Sequence, residues 1–421
     1  MDSAFLRDTD AVRTRSMRLT APLLALATVL PALPAAAQTV TPLAEARLRY
    51  EHVEQDGLPQ DSDAVTVRLR TGVQAAIGRF SGLVQAQGNL AILPDYFDGL
   101  HGPATLRPLI ADPDSVAIYR AQVRYAAPGV VITAGRQVIQ LDDERFVGAA
   151  AFRNNGQTFD AVRTEITAMP GLKADVSYVW SVRTVNGIEG RGARPTAIGG
   201  NTVLANLGWE SPIGKVTGFA YLIDEDEAAV QGYRLSSQTY GGRLAGAQPL
   251  GTAKLAYQLS YARQSDYHRN PNKYAADYWL ADLSLDLNGP KVGGGYEVLG
   301  AGRGASAGAT YASFQTPFSA IFKFQGWADK LTTTPADGIR DAYASAGWGW
   351  KQIGTLKAVS LTAVYHRFDS DRLSRRYGDE LNLLASAKLG KTTASLRYAD
   401  YRADRLFTDT QKLWMQLDWA L

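Results

Sequence analysis

The chain has 421 residues, with 40 Gly, 20 Tyr, 8 Trp, no Cys and a formal charge of +3. The lack of Cys excludes disulfides, thiol catalysis and cysteine-ligated zinc, and so small a charge argues against nucleic acid as a partner. Charged residues at 20% and hydrophobic ones at 46% exclude disorder for the bulk of the chain, and a mean hydropathy of -0.17 without several long apolar runs excludes a polytopic helical membrane protein.

Residues 1–37 read as a secretory signal peptide. Arg13, Arg15 and Arg18 form its basic end, Leu19 to Leu33 its short apolar stretch, and Ala35-Ala36-Ala37 a cleavage site before Gln38. Met17 would serve as an alternative start. The expected mature chain, 38–421, is one domain outside the cytoplasm.

From Leu43 onward the chain alternates with period two. In Leu43–Val53, Glu45, Arg47, Arg49 and Glu51 share one parity and Ala44, Ala46, Leu48 and Tyr50 the other, which places them on opposite faces of a strand. Val65–Ile77, Lys173–Val185, Lys254–Tyr261, Tyr278–Leu287, Glu380–Leu389 and Thr393–Ala399 repeat the pattern, with no sustained helical stripe. Short Gly/Pro turns, such as Pro128-Gly129, Pro170-Gly171 and Gly390-Lys391, alternate with longer polar stretches at 94–115, 140–156, 186–201, 225–237, 264–276 and 403–409. Strands of this kind, joined alternately by tight turns and long loops, predict an all-β, antiparallel up-and-down transmembrane barrel of the bacterial outer membrane. The count is 18 strands, ending in an apolar C-terminal strand at Thr410–Leu421. Segment 300–340 reads as one long external loop; a hairpin from Ala305–Phe314 and Phe318–Trp327 would raise the count to 20. The apolar parity carries Tyr178, Trp180, Trp209, Trp279, Trp348 and Trp419 near strand ends, as interfacial girdles require.

With the polar parity facing inward, the expected pore-lining cations are Arg47, Arg49, Arg68, Arg70, Arg120, Arg124, Arg163, Lys173, Arg183, Arg243 and Arg397, with Lys254 and Lys388. They slightly outnumber inward acids that include Glu45, Glu51, Glu297, Glu380 and Asp418. The first, second and fourth strands concentrate six of the arginines. A guanidinium fork takes both oxygens of a carboxylate and stays charged, so a ladder of them attracts an anion and passes it on. Asp224-Glu225-Asp226-Glu227 is a weak candidate for a Ca²⁺ site in an outer loop. No cofactor is implied. Pairing His366 with Ser360 has no supporting nucleophile or paired-carboxylate motif, so an enzyme is not expected.

Several blocks add a resemblance: YEVLG (296–300), FQTPFSAIFKFQGWADKL (314–331), TPADGIRDAY (334–343), VYHRFDSD (364–371), YGDELN (377–382) and YADYRAD (398–404), with GRQ (135–137) and RNNGQTFDAVR (153–163) upstream. Together they resemble the alginate-export family of outer-membrane porins. The resemblance implies an 18-stranded barrel and a diffusive channel for anionic sugar polymers or smaller anions. The partners expected are outer-membrane lipids, an anionic saccharide and, for an exporter, a periplasmic export scaffold. The alternatives are a general porin without anion preference and an outer-membrane barrel enzyme.

Overall fold

The alternation becomes strands throughout. The structure, a computed structural model, describes residues 39–228, 231–306 and 308–421; the expected signal peptide at 1–37 lies outside the described residues. The strands are β1 (Thr39–Gln55), β2 (Ser62–Ile77), β3 (Phe80–Asp95), β4 (Ser115–Ala127), β5 (Val130–Gln137), β6 (Thr158–Met169), β7 (Leu172–Arg183), β8 (Ala197–Ser211), β9 (Gly214–Ile223), β10 (Ser237–Leu250), β11 (Ala253–Asp266), β12 (Ala275–Asp286), β13 (Pro290–Leu299), β14 (Ile339–Ile353), β15 (Leu356–Asp369), β16 (Arg376–Leu389), β17 (Thr392–Ala403) and β18 (Thr410–Ala420). Each pairs antiparallel with its sequence neighbours, and β1 pairs with β18, so the 18-stranded sheet closes and has no free edge.

The burial pattern is inverted relative to a soluble protein. Along β2, Ala64, Thr66, Arg68 and Arg70 are buried while Leu69 is exposed on the outer face. Charged residues inside and apolar ones outside are stable only where the surroundings are hydrocarbon. The outer face carries two aromatic belts. Trp209, Trp348 and Trp419 lie toward the short-turn end, and Tyr178, Trp180 and Trp279 toward the long-loop end. Hairpins at the short-turn end close through residues such as Gly171 (φ 72°) and Gly390 (φ 59°), whose left-handed backbone favours glycine. Both ends of the described chain lie on this side, with the Leu421 N–H donating to the Ala44 carbonyl at 3.0 Å. In barrels of this type the short turns face the periplasm and the long loops the exterior.

Segment 300–338 contributes no strand to the wall, so the 20-strand alternative falls. It is one loop, as expected, but it does not project outward. Its apolar side chains, Phe314, Phe318, Phe322 and Leu331, are buried, because leaving them in water would cost more than folding the loop down into the lumen.

Candidate functional site

Long loops enter the barrel, among them 96–114, 138–157 and 300–338. The second and third run side by side. Val147 bridges Phe318, the Gly148 N–H donates to the Phe318 carbonyl at 2.8 Å, and the Ala320 N–H donates to the Glu144 carbonyl at 3.0 Å. Gln157 Nε2 donates to the Gly148 and Phe318 carbonyls at 2.8 and 3.0 Å.

Wall side chains fasten this double loop. On β13, Glu297 accepts from Arg145 Nε at 2.6 Å, from the Tyr278 hydroxyl at 2.7 Å and from Gln325 Nε2 at 2.6 Å. On β16, Glu380 accepts the backbone N–H groups of Trp327 and, at 2.9 Å, of Ala328. On β11, Gln264 accepts the Gln315 N–H and donates to the Gln315 carbonyl, both at 2.8 Å. Arg153 pairs with Asp329, which also lies 3.6 Å from Lys412 Nζ. Burial opposes the charge of Arg153, but Asp329, Glu51 and Asp112 outweigh it and raise its pKa above the ordinary range. Burial and then Lys412 push the nearby Lys330 ammonium down to about 8.

The loops divide the lumen unevenly. Against β6–β13 they build a dry cluster in which Phe146 packs on Phe219, Tyr221, Tyr278 and Phe314, closing that side to water. A second cluster joins Phe322, Ala328 and Leu331 to Phe368, Tyr401 and Trp414. Between the clusters and β17–β18–β1 lies a cavity of about 670 Å³, bordered by Arg47, Phe152, Phe322, Trp327, Arg397 and Asp418. One wall is aromatic: Phe152 and Phe322 stack with centroids 3.3 Å apart. The Arg397 guanidinium stands over Phe152, Phe322 and Trp327 at 5.5, 5.7 and 5.2 Å, and its Nε has no hydrogen-bond partner.

The four arginines of β1 and β2 do converge. Arg47 is the register partner of both Arg68 and Asp418, and Glu45 that of Arg70. They are not equivalent. Arg49 is enclosed, bonded to Gln416 at 2.8 Å, to Asp112 at 3.0 Å and to the Phe152 carbonyl. It fastens loops 96–114 and 138–157 to the wall. Arg47 binds Asp418 and the Phe152 carbonyl, both at 2.8 Å, and still borders the cavity. Arg70 is bonded to Gln87 at 2.6 Å and stacks on Tyr119. Arg68 is only 4% exposed; it has Glu45 at 3.8 Å and Asp418 at 4.0 Å, while its Nε and Nη1 have no hydrogen-bond partner.

The other expected pore-lining cations are scattered. Arg120 bonds Gln85 at 2.8 Å. Arg163 pairs with Asp175 and Lys173 with Glu165, below the loop tip at Asp142. Arg243 pairs with Asp143 of the inserted loop. Arg124 is exposed and Arg183 half-buried, and neither borders the Arg397 cavity. The acidic run does not form a ligand set: Asp226 turns outward to Arg269, Asp224 meets His268 at 3.2 Å, and Glu225 is buried. Among the described residues no three His, Asp or Glu side chains are placed to hold a metal ion. His366 pairs with Asp341 at 3.0 Å and Ser360 with Ser386 at 2.8 Å; six residues apart on one strand, about 20 Å, they do not meet.

Sequence reasoning did not assign roles to Phe152, Phe322, Trp327, Arg145 or Arg153, because all lie in loops. The usable signal was a long non-alternating loop rich in Phe and Trp, which cannot remain outside in water.

No protein-family model matches the chain, and no curated protein matches it. Solved structures do. OccAB3 of Acinetobacter baumannii aligns at 15% identity over 90% of this chain and 99% of that one, with a TM-score of 0.68. OpdL of Pseudomonas aeruginosa aligns at 17% identity over 91% and 98%, with a TM-score of 0.65. OccK2 (OpdF) of the same organism, solved in complex with glucuronate, aligns at 14% identity over 90% and 98%, with a TM-score of 0.64. At such identities the likeness is one of fold: the closed 18-stranded barrel of bacterial outer-membrane porins. The apolar outer face and the closed sheet place the chain in that membrane. The narrower likeness to alginate exporters rests on the sequence blocks alone.

Proposed function

We propose that the protein is a passive outer-membrane channel for anionic saccharides small enough to pass the cavity beside Arg397. The observation that carries this reading is the guanidinium of Arg397, its Nε unpaired, poised over an aromatic shelf beside a cavity of about 670 Å³. The shelf suits the apolar face of a sugar ring, and Arg397 with Arg47 suits its carboxylate. Arg68, buried and short of partners, adds positive potential next to Asp418. The volume lies in the range of small-molecule sites, roughly 300–1,000 Å³, which favours a monomeric or short uronate over a long polymer. The glucuronate held by OccK2 (OpdF) makes it a natural probe. Export of an alginate-like polymer through a periplasmic scaffold is the second reading. It is favoured by one observation: the most extended block of family resemblance, 314–331, is the loop that narrows the lumen. That reading requires the loop to withdraw.

The test is a planar bilayer under a KCl gradient. Wild type should show an anion-selective reversal potential, and glucuronate should reduce the chloride current. Arg397→Glu should move the reversal potential toward the cation side, more at low salt, since the Debye length is about 8 Å at physiological ionic strength. A reversal potential unchanged in a folded variant would reduce the protein to a general porin.

A further inference from the structure

The charge on the inner wall is graded along the barrel axis. On β7, β9, β11, β13, β14 and β16 the inward position within two residues of the short turn is a lysine: Lys173, Lys215, Lys254, Lys291, Lys351 and Lys388. Parity fixes their direction. Lys254 is in step with Gln258 and Gln264, which bond Asp143 and Gln315 of the inserted loops. Lys291, Lys351 and Lys388 are in step with Glu297, Asp341 and Glu380 on their own strands. Lys173 and Lys215 border the space below the loop tip at Asp142. Those three acids lie nearer the external ends of β13, β14 and β16, and each is engaged: Glu297 by Arg145, Asp341 by His366 and Glu380 by the Ala328 N–H.

Half of this lysine rim is neutralised. Lys173 meets Glu165 at 2.7 Å, Lys215 meets Asp142 at 3.2 Å and Lys291 meets Asp286 at 2.9 Å. Lys254, Lys351 and Lys388 are exposed and, among the described residues, have no ion pair. The nearest inward acids are already taken. Asp286, the register partner of Lys254, is held by Lys291. Asp418 shares the cross-strand row Lys388–Thr393–Asp418–Arg47 and is held by Arg47 at 2.8 Å. Arg124 and Glu210, also inward and exposed, offset each other in sign, so the rim keeps an excess of three positive charges. The row that begins at Lys388 ends at Arg47, which borders the cavity beside Arg397, so rim and cavity belong to one route. The two cations suit different tasks. A guanidinium fork grips a carboxylate at two points, whereas an ammonium is a compact hydrated charge on a flexible stem, which draws an anion in and releases it.

We infer that the lysine rim is an anion-collecting vestibule, through which carboxylated saccharides enter the channel faster from the periplasm than from outside. The inference rests on the anion-channel reading above and adds a side to it. A mouth lined by one sign of charge raises the local concentration of the opposite ion and its entry rate. A passive channel cannot alter an equilibrium, so exit on that side speeds up equally and net flux still follows the gradient. What the rim sets is the rate at each mouth.

The test records single channels of the full mature protein in planar bilayers with 0.1 M KCl on both sides. Insertion side is reported by Ile213→Cys in the β8–β9 turn of a chain that has no other cysteine, with a membrane-impermeant thiol reagent. Current should be larger when anions are driven from the periplasmic mouth outward. Glucuronate should associate about tenfold faster from the periplasmic side than from the external side, the low end of electrostatic steering. In 1 M KCl, where the Debye length is about 3 Å, both asymmetries should fall toward unity. Lys254→Gln/Lys351→Gln/Lys388→Gln should abolish both at 0.1 M while keeping heat-modifiable gel mobility. An ohmic wild type with equal association rates would overturn the vestibule. So would an asymmetry that survives the triple variant and 1 M KCl, since it would then be steric. The two readings fail separately. Glucuronate block of an ohmic channel keeps the anion channel and removes the vestibule; a rectifying current that glucuronate does not block keeps the vestibule and removes the uronate site.

Discussion

Removing the carboxylate of Glu380 should release the loop that narrows the lumen while leaving the barrel intact. Glu380 is buried in the wall and accepts two loop N–H groups, from Trp327 and Ala328, through one oxygen. Gly326, at φ 80°, lies so close that a Cβ there would collide with the carboxylate, so loop and acceptor are fitted to each other. A hydrogen bond to a charged group contributes roughly 1.5–3 kcal/mol, and two are lost in Glu380→Ala. Part of that is returned, because the variant no longer buries a charge. A net weakening of docking on the order of 2–4 kcal/mol raises the undocked population by roughly 30- to 1,000-fold. The 18 strand ladders are untouched, so heat-modifiable mobility should match wild type. Single-channel recordings should then show larger or flickering conductance. Glu380→Gln keeps an acceptor oxygen at the same place and should fall between the two. A folded Glu380→Ala channel with wild-type conductance and noise would refute the reasoning and leave the loop held by Glu297, Gln264 and Asp329 alone.

The remaining expectations follow from other residues. Arg49→Met should loosen loops 96–114 and 138–157, since it removes bonds to Asp112 and Phe152, and should raise conductance without the selectivity change expected of Arg397→Glu; a pure selectivity change would contradict the fastening role. In loop 224–236, burial, with Asp224 and Glu227, pushes Glu225 up to about 8. A raised acid stabilises the folded loop below its unfolded pKa and loses that contribution as pH climbs through its folded value. Protection of that loop's amides, taken relative to their intrinsic exchange rate at each pH, should therefore be greater at pH 5 than at pH 9, and the excess should vanish in Glu225→Gln. Phe322→Ala should shorten glucuronate blocking events, measured by current noise, if the aromatic shelf contacts the sugar. Mass spectrometry of protein from outer-membrane fractions should show a mature N-terminus at Gln38; full-length protein in the soluble periplasm would contradict the barrel's location.

Strand number, strand parity and the asymmetry of turns and loops were legible in the sequence because they depend on period two, a property of each strand by itself. The alternation of Arg47, Arg49, Arg68 and Arg70 with apolar neighbours decided which face meets lipid, and the closing strand at Thr410–Ala420 is where the alternation placed it. Only the tertiary structure decided which inward arginines are bound up and which are available. Arg49 and Arg397 look alike along their strands, yet one is enclosed by Asp112 and the Phe152 carbonyl and the other stands over an open cavity. That difference is made by loops 96–114, 138–157 and 300–338, which have no period to read and which reach residues more than a hundred positions away, as Arg145 reaches Glu297. Local periodicity sets the wall; the contents of the lumen depend on contacts between segments distant in sequence, and those exist only once the barrel has closed around them.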